Sequence, residues 1–100
     1  MRLALGAIRV TSHTTKEFRR LFRQLSKEVQ ASAHKSYRLW SANPQHPGLQ
    51  FKRVHAKLPI WSARVSQGWL VVGVKRDDAM VWFWIGSHDE YGRERPKSKH

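Results

Sequence analysis

Five side chains in the second half of the sequence carry chemistry at suggestive places: Lys52 and Arg53 together, Arg64, His88 and Tyr91. Imidazole exchanges protons near neutral pH, which makes His88 a candidate general acid or base. The planar guanidinium of Arg64 can hold two oxygens of one phosphate. Lys52 and Arg53 can bind backbone phosphates, and a lysine crowded by other cations can serve as a base. Tyr91 can stack on a nucleobase or donate to a phosphate oxygen. Each has a structural alternative. His88 can be a surface imidazole beside a helix cap, and Arg64 can pair with Asp89 or Glu90. Lys52 and Arg53 can be edge-strand charges that block strand-to-strand aggregation. Tyr91 can simply pack on the end of a sheet.

The charge of the whole chain frames these groups. Nineteen Lys and Arg against seven Asp and Glu give a net +12 with histidine neutral. Such an excess points to an acidic partner: nucleic acid, an anionic membrane or an acidic protein. Lys16, Arg20, Arg23 and Lys27 form a basic stripe at helical spacing, and Lys57 adds to the charge near Lys52. That stripe is either a solvated helix face or a contact surface for RNA phosphates. The chain has no cysteine, which excludes disulfides, thiolate catalysis and sulfur-based zinc sites. His13, His46 and His55 lack a partner at i+4 and a nearby carboxylate, so no metal and no other cofactor is expected.

One hundred residues, 40% of them apolar and five of them Trp, suffice for one compact domain. It is expected over residues 1–92, followed by a basic, mobile tail from Arg93 to His100. The longest apolar runs, Trp69–Val72 and Met80–Ile85, fall far short of the roughly 20 residues a membrane span needs. No export signal is read in Met1–Val10, and the expectation is a cytoplasmic protein with no membrane partner.

The elements that position the reactive groups follow from periodicity. Leu3–Val10 reads as a strand, and Ser12-His13-Thr14 breaks it. Thr14 and Glu17 have capping-box spacing, so a helix is expected from about Thr15, with Phe18, Leu21, Phe22 and Leu25 as its apolar stripe. Ser26 caps a second helix that ends at Asn43-Pro44. Leu49–His55 is expected as a short charged strand. Trp61, Ala63 and Val65 alternate with polar residues, Gln67-Gly68 turns, and Trp69–Val74 follows. A turn at Lys75–Asp78 leads into Met80–Ile85, an apolar central strand. Alternation predicts Trp82 and Trp84 on one face with Phe83 on the other, and the five tryptophans read as core or sheet-face residues. Ser87 is a plausible cap for a helical turn. The sum is an α+β fold: an N-terminal strand, a helical hairpin, then a curved antiparallel meander.

The segments His46-Pro47-Gly48-Leu49-Gln50-Phe51-Lys52-Arg53-Val54, Trp61-Ser62-Ala63-Arg64-Val65 and Val81-Trp82-Phe83-Trp84-Ile85-Gly86-Ser87-His88-Asp89-Glu90-Tyr91 closely resemble those of RelE/ParE-type toxins of bacterial toxin–antitoxin systems. With the hairpin ending in Asn43-Pro44, the resemblance covers about residues 3–91. It implies a helical hairpin on a curved sheet and an acidic cognate antitoxin as partner. It also implies one of two activities. RelE-like members cut mRNA at the ribosome, and ParE-like members bind DNA gyrase without chemistry.

Metal-free RNA cleavage needs a base for the ribose 2′ proton, an acid for the leaving 5′ oxygen and cations for the phosphorane. By resemblance, His88, Arg64, Lys52 and Tyr91 match or neighbour the positions where family nucleases carry such groups. Arg53, Lys57 and the stripe Lys16, Arg20, Arg23 and Lys27 would hold RNA. One departure favours the gyrase reading. Many relatives have Tyr-Arg after the glycine turn, with that arginine facing the scissile phosphate, where this chain has Trp69-Leu70. A member that only binds its antitoxin or DNA is a third possibility.

Overall fold

A computed structural model describes residues 11–94. The strand expected over Leu3–Val10, and the part of the expected tail beyond Glu94, lie outside the described residues. Strand β1 (Thr11–Thr14) leads to helices α1 (Lys16–Arg23) and α2 (Lys27–Ala42), then β2 (Lys52–Arg53), β3 (Ile60–Ser66), β4 (Trp69–Arg76), β5 (Ala79–Ser87) and α3 (His88–Glu94). The five strands form one sheet in the order β1-β5-β4-β3-β2. β2 to β5 are the antiparallel meander that the sequence predicts. β1, in contrast, lies parallel to β5, so the sheet is mixed.

The helix boundaries follow local chemistry. The first cap is Thr15, one residue later than the capping-box spacing suggests: its Oγ1 accepts from the Phe18 N–H at 3.0 Å. Thr14 instead accepts from the Arg19 guanidinium through its carbonyl and its hydroxyl. Ser26 caps α2 through the Val29 N–H, and α2 stops ahead of Pro44. The predicted break at Ser12-His13-Thr14 is in fact strand, because these residues borrow their geometry from β5, and Ser12 Oγ accepts from Trp82 Nε1 at 3.1 Å. The charged strand is shorter than Leu49–His55. Pro47–Leu49 form a 3-10 turn, and Gln50 at φ 46 redirects the chain, leaving Lys52 and Arg53 to pair with β3.

Both faces of the sheet are covered, by different clusters. The helix face buries Trp40, Leu49, Ala63, Met80 and Trp82, with Phe18, Phe51 and Trp61 packed around them. The other face buries Ile60, Leu70 and Val72 beneath Phe83, Trp84 and Tyr91. Trp82 and Trp84 therefore do not share a face, contrary to simple alternation. Val72 pairs with Trp84 and Gly73 with Trp82, so Phe83 is an extra residue on β5 and the register slips by one there.

The loop from Val54 to Pro59 is braced by side chains. Arg53 donates from Nε to the Leu58 carbonyl at 3.3 Å and from Nη2 to the Lys57 carbonyl at 3.2 Å. His55 Nδ1 accepts from the Lys57 and Leu58 N–H groups at 3.0 and 2.9 Å.

Two outcomes test this packing. A Cβ at Gly73 would meet Trp82 Cε3 at 2.7 Å and the Val81 carbonyl oxygen at 2.9 Å, whereas one at Gly92 in α3 meets nothing within 4 Å. Gly73→Ala should cost about 1–3 kcal/mol in urea unfolding, and Gly92→Ala should gain up to about 1 kcal/mol from helix propensity. For the loop, His55→Ala should speed amide exchange at Lys57 and Leu58 well above the rate in β3, whose own ladder is untouched. Equal protection in the variant would show that the imidazole does not hold the loop.

Candidate phosphodiester-binding face

Register defines what the face opposite the helices presents. On β3, Ile60, Ser62 and Arg64 alternate onto it, while Trp61, Ala63 and Val65 point to the helices. Lys52 pairs with Ser62, so it joins the same face from the sheet edge. Arg64 pairs with Leu70, and Leu70 with Gly86. His88 follows Gly86 by two residues, and its N–H still donates to the Gly68 carbonyl at 2.9 Å, which keeps it in line with that row. Tyr91, on the first turns of α3, lies with its ring centroid 5.9 Å from that of Trp84. Lys52, Arg64 and Tyr91 are thus gathered on one side of the sheet, and His88 opens α3 at the end of the Gly86 row. At about 4.8 Å per strand, the row from Arg64 to Gly86 spans roughly 10 Å.

The floor of this face is apolar. Leu70 is 4% exposed and Val72 1% exposed, while Lys52, Arg64 and His88 are exposed above them. α3 is fixed beside it by a reciprocal cap. Ser87 Oγ accepts from the Glu90 N–H, and Glu90 Oε1 accepts from the Ser87 N–H, each at 3.1 Å. Glu90 is thereby occupied at the cap. Arg93 and Glu94, read from the sequence as the start of a tail, belong to α3.

The other cations lie elsewhere. Arg53 pairs with Trp61, so its side chain leaves on the side away from Lys52, and its guanidinium is engaged with the loop carbonyls. Lys57 is exposed on that loop. Lys16, Arg20, Arg23 and Lys27 are exposed on the helical hairpin, across the sheet from Arg64. Arg20 is bound to Glu17 with Nε to Oε1 at 2.9 Å, the one ion pair among the described residues. These hydrogen bonds hold the Glu17 carboxyl below the usual carboxylate range and push the Arg20 guanidinium up.

A broader signal is present in the sequence and was not read there. Between Glu28 and Asp77 the chain has no carboxylate and eight Lys or Arg. Most of α2 and all of β2, β3 and β4 therefore carry cations that no acid within those elements can neutralise. Among the described residues, no group of three or more His, Asp or Glu is placed to hold a metal ion, and no helix is long and apolar enough to cross a membrane.

On the opposite side of the sheet, a cavity of about 360 Å³ opens between the hairpin and the strands, walled by Phe18, Phe22, Tyr37, Trp40 and Trp82. No residue of α1 is fully buried, and only Trp40 of α2 is, so the hairpin stands partly off the sheet.

No protein-family model matches the chain, and no curated protein matches it in sequence. Solved structures do match in shape. The RelB–RelE antitoxin–toxin complex of Methanococcus jannaschii includes a chain that superposes with a TM-score of 0.68 at 8% identity, over 84% of this chain and 99% of that one. A chain of the DinJ–YafQ toxin–antitoxin complex of E. coli gives 0.67 at 11% identity, over 83% and 97%. One from the RelBE2 complex of Mycobacterium tuberculosis gives 0.66 at 16% identity, over 81% and 100%. Such identities speak for architecture, and the coverage is nearly complete on the other side. The chain has the RelE-type toxin fold.

Proposed function

We propose that this chain is the toxin of a bacterial type II toxin–antitoxin pair and acts as a ribosome-dependent mRNA endoribonuclease that needs no metal. The observation that carries this reading is the gathering of Lys52, Arg64 and Tyr91 on one sheet face, with the exposed His88 at the start of the adjoining helix. Its support from the fold is that several of the matching structures are complexes of toxins with antitoxins.

In this mechanism the ribose 2′ oxygen attacks the adjacent phosphorus, and the bond from phosphorus to the 5′ oxygen breaks. His88 exchanges protons with the reacting oxygens, Arg64 and Lys52 stabilise the phosphorane charge, and Tyr91 orients the strand. The cations of α1, α2 and the Val54–Pro59 loop hold ribosomal RNA, where each phosphate neutralised releases counterions. In this assignment Arg53 serves by bracing the loop that presents Lys57. The antitoxin is an acidic protein whose apolar segment covers the cleft between the hairpin and the sheet, in the cytoplasm where both are made.

A second reading, a toxin that binds DNA gyrase and performs no chemistry, is favoured by one observation. Leu70 occupies the centre of the row between Arg64 and Gly86, almost fully buried, where a nuclease of this type gains from another cation.

Two experiments separate them. On ribosomes programmed with a defined mRNA, the protein should cut within the A-site codon, and Arg64→Ala or His88→Ala should slow cutting by about 100-fold or more. Intact mRNA with the wild-type protein would remove the nuclease reading. Inhibition of gyrase supercoiling that persists in His88→Ala would establish the rival.

A further inference from the structure

We propose that Trp84 is a stacking platform for an unpaired nucleobase of the RNA strand that the cations hold. This rests on the RNA-cleaving reading and goes beyond it by naming how the strand is held apart from its phosphates. Four features of the fold converge on this residue. The extra residue at Phe83 turns Trp84 away from the core that Trp82 occupies and onto the face of Arg64 and Lys52. Its indole then lies across Gly86. A Cβ there would stand 2.6 Å from Trp84 Cη2 and 2.7 Å from Cζ2, so only glycine lets the ring lie down on the strand. Trp84 keeps part of its surface exposed, unlike Trp40 and Trp82, which are buried. Finally, Trp84 shares a cross-strand row with Val72, Ser62 and Lys52, one step along the sheet from the row of Gly86, Leu70 and Arg64.

Val72, Leu70 and Ser62 are buried within this face; its aromatic side is Trp84 with Tyr91, and its cationic side is Lys52 and Arg64. The two sides are two to three strand spacings apart, roughly 10–15 Å. A single strand laid across this face sets its phosphates against the cations and turns a base onto the indole. Stacking of this kind is tolerant of sequence, since every base offers a π face. Trp84 is therefore a positioning residue for the strand, and its partner is single-stranded RNA of any composition.

The test uses fluorescence anisotropy with labelled 2′-O-methyl hexaadenylate, which cannot be cleaved, and with an abasic strand of the same length and charge. Trp84→Leu keeps an apolar cover over Gly86 and removes the π face; Trp84→Phe keeps a smaller ring. The expected result is a loss of affinity for hexaadenylate of about ten-fold in Trp84→Leu, near wild-type affinity in Trp84→Phe, and no change for the abasic strand in either. Lys52→Ala should weaken both strands alike. If Trp84→Leu binds hexaadenylate like the wild type, or loses the abasic strand equally, the platform is wrong while the nuclease reading stands. If the wild-type protein binds neither strand, the platform is wrong, and the nuclease reading is decided separately by cutting on programmed ribosomes.

Discussion

Two indoles set edge to face hold this fold together. The ring centroids of Trp40 and Trp82 lie 5.4 Å apart at 80°, joining the one fully buried residue of the helical hairpin to β5. Such a pair adds about 0.5–1.5 kcal/mol to what burial alone provides. Phe51 lies against both rings, and Trp61 stacks on Phe51 at 4.6 Å, so an aromatic chain ties α2 to the sheet and to the approach of β2. The contact has costs. Gly73 lies beneath Trp82 with no room for a Cβ, and the Trp40 N–H is buried without an acceptor among the described residues. An unpaired donor of that kind costs about 1–3 kcal/mol. α1, further from the contact, is held only by partly buried residues.

With the core concentrated on one side, the other side of β5 is released for different work. The register slip at Phe83 divides the strand, giving Trp82 to the core and Trp84 to the exposed face. Gly73 and Gly86 play matching parts beneath the two rings. The absence of carboxylates from Val29 through β4 then leaves the exposed face with positive charge that is not internally compensated. An apolar floor beneath exposed cations excludes water from one side of the charges and strengthens their field above it.

The local chemistry of the elements was legible in the sequence, and the consequences of pairing were not. Ser26 and Asn43-Pro44 bound α2, Gln67-Gly68 turns β3 into β4, and Ser87 opens α3, each through a short-range preference. The polar run Ser12-His13-Thr14 looks like a break because its strand geometry is imposed by β5, far along the chain. Alternation was sufficient to group Arg64 with Lys52 across β3, since the register there is regular. It failed on β5, where a single extra residue inverts the direction of Trp84. Arg53 and Lys52 are equivalent neighbours in sequence, yet pairing sends them to opposite sides and commits one to a loop. The sequence shows Leu70 where the resembling toxins carry arginine. What the sequence did not reveal is that it fills the floor of the face instead of facing solvent.

The parallel pairing of β1 with β5 has a consequence for synthesis. Among the described residues, β1 pairs only with β5, so it has no sheet neighbour until that strand exists. A chain emerging in order can form α1 and α2 early, but the sheet cannot be completed before Ser87 has been made. Joining segments so far apart in the chain is slow compared with helix formation. Any activity of the assembled face is thus withheld from the nascent chain until β5 has been made.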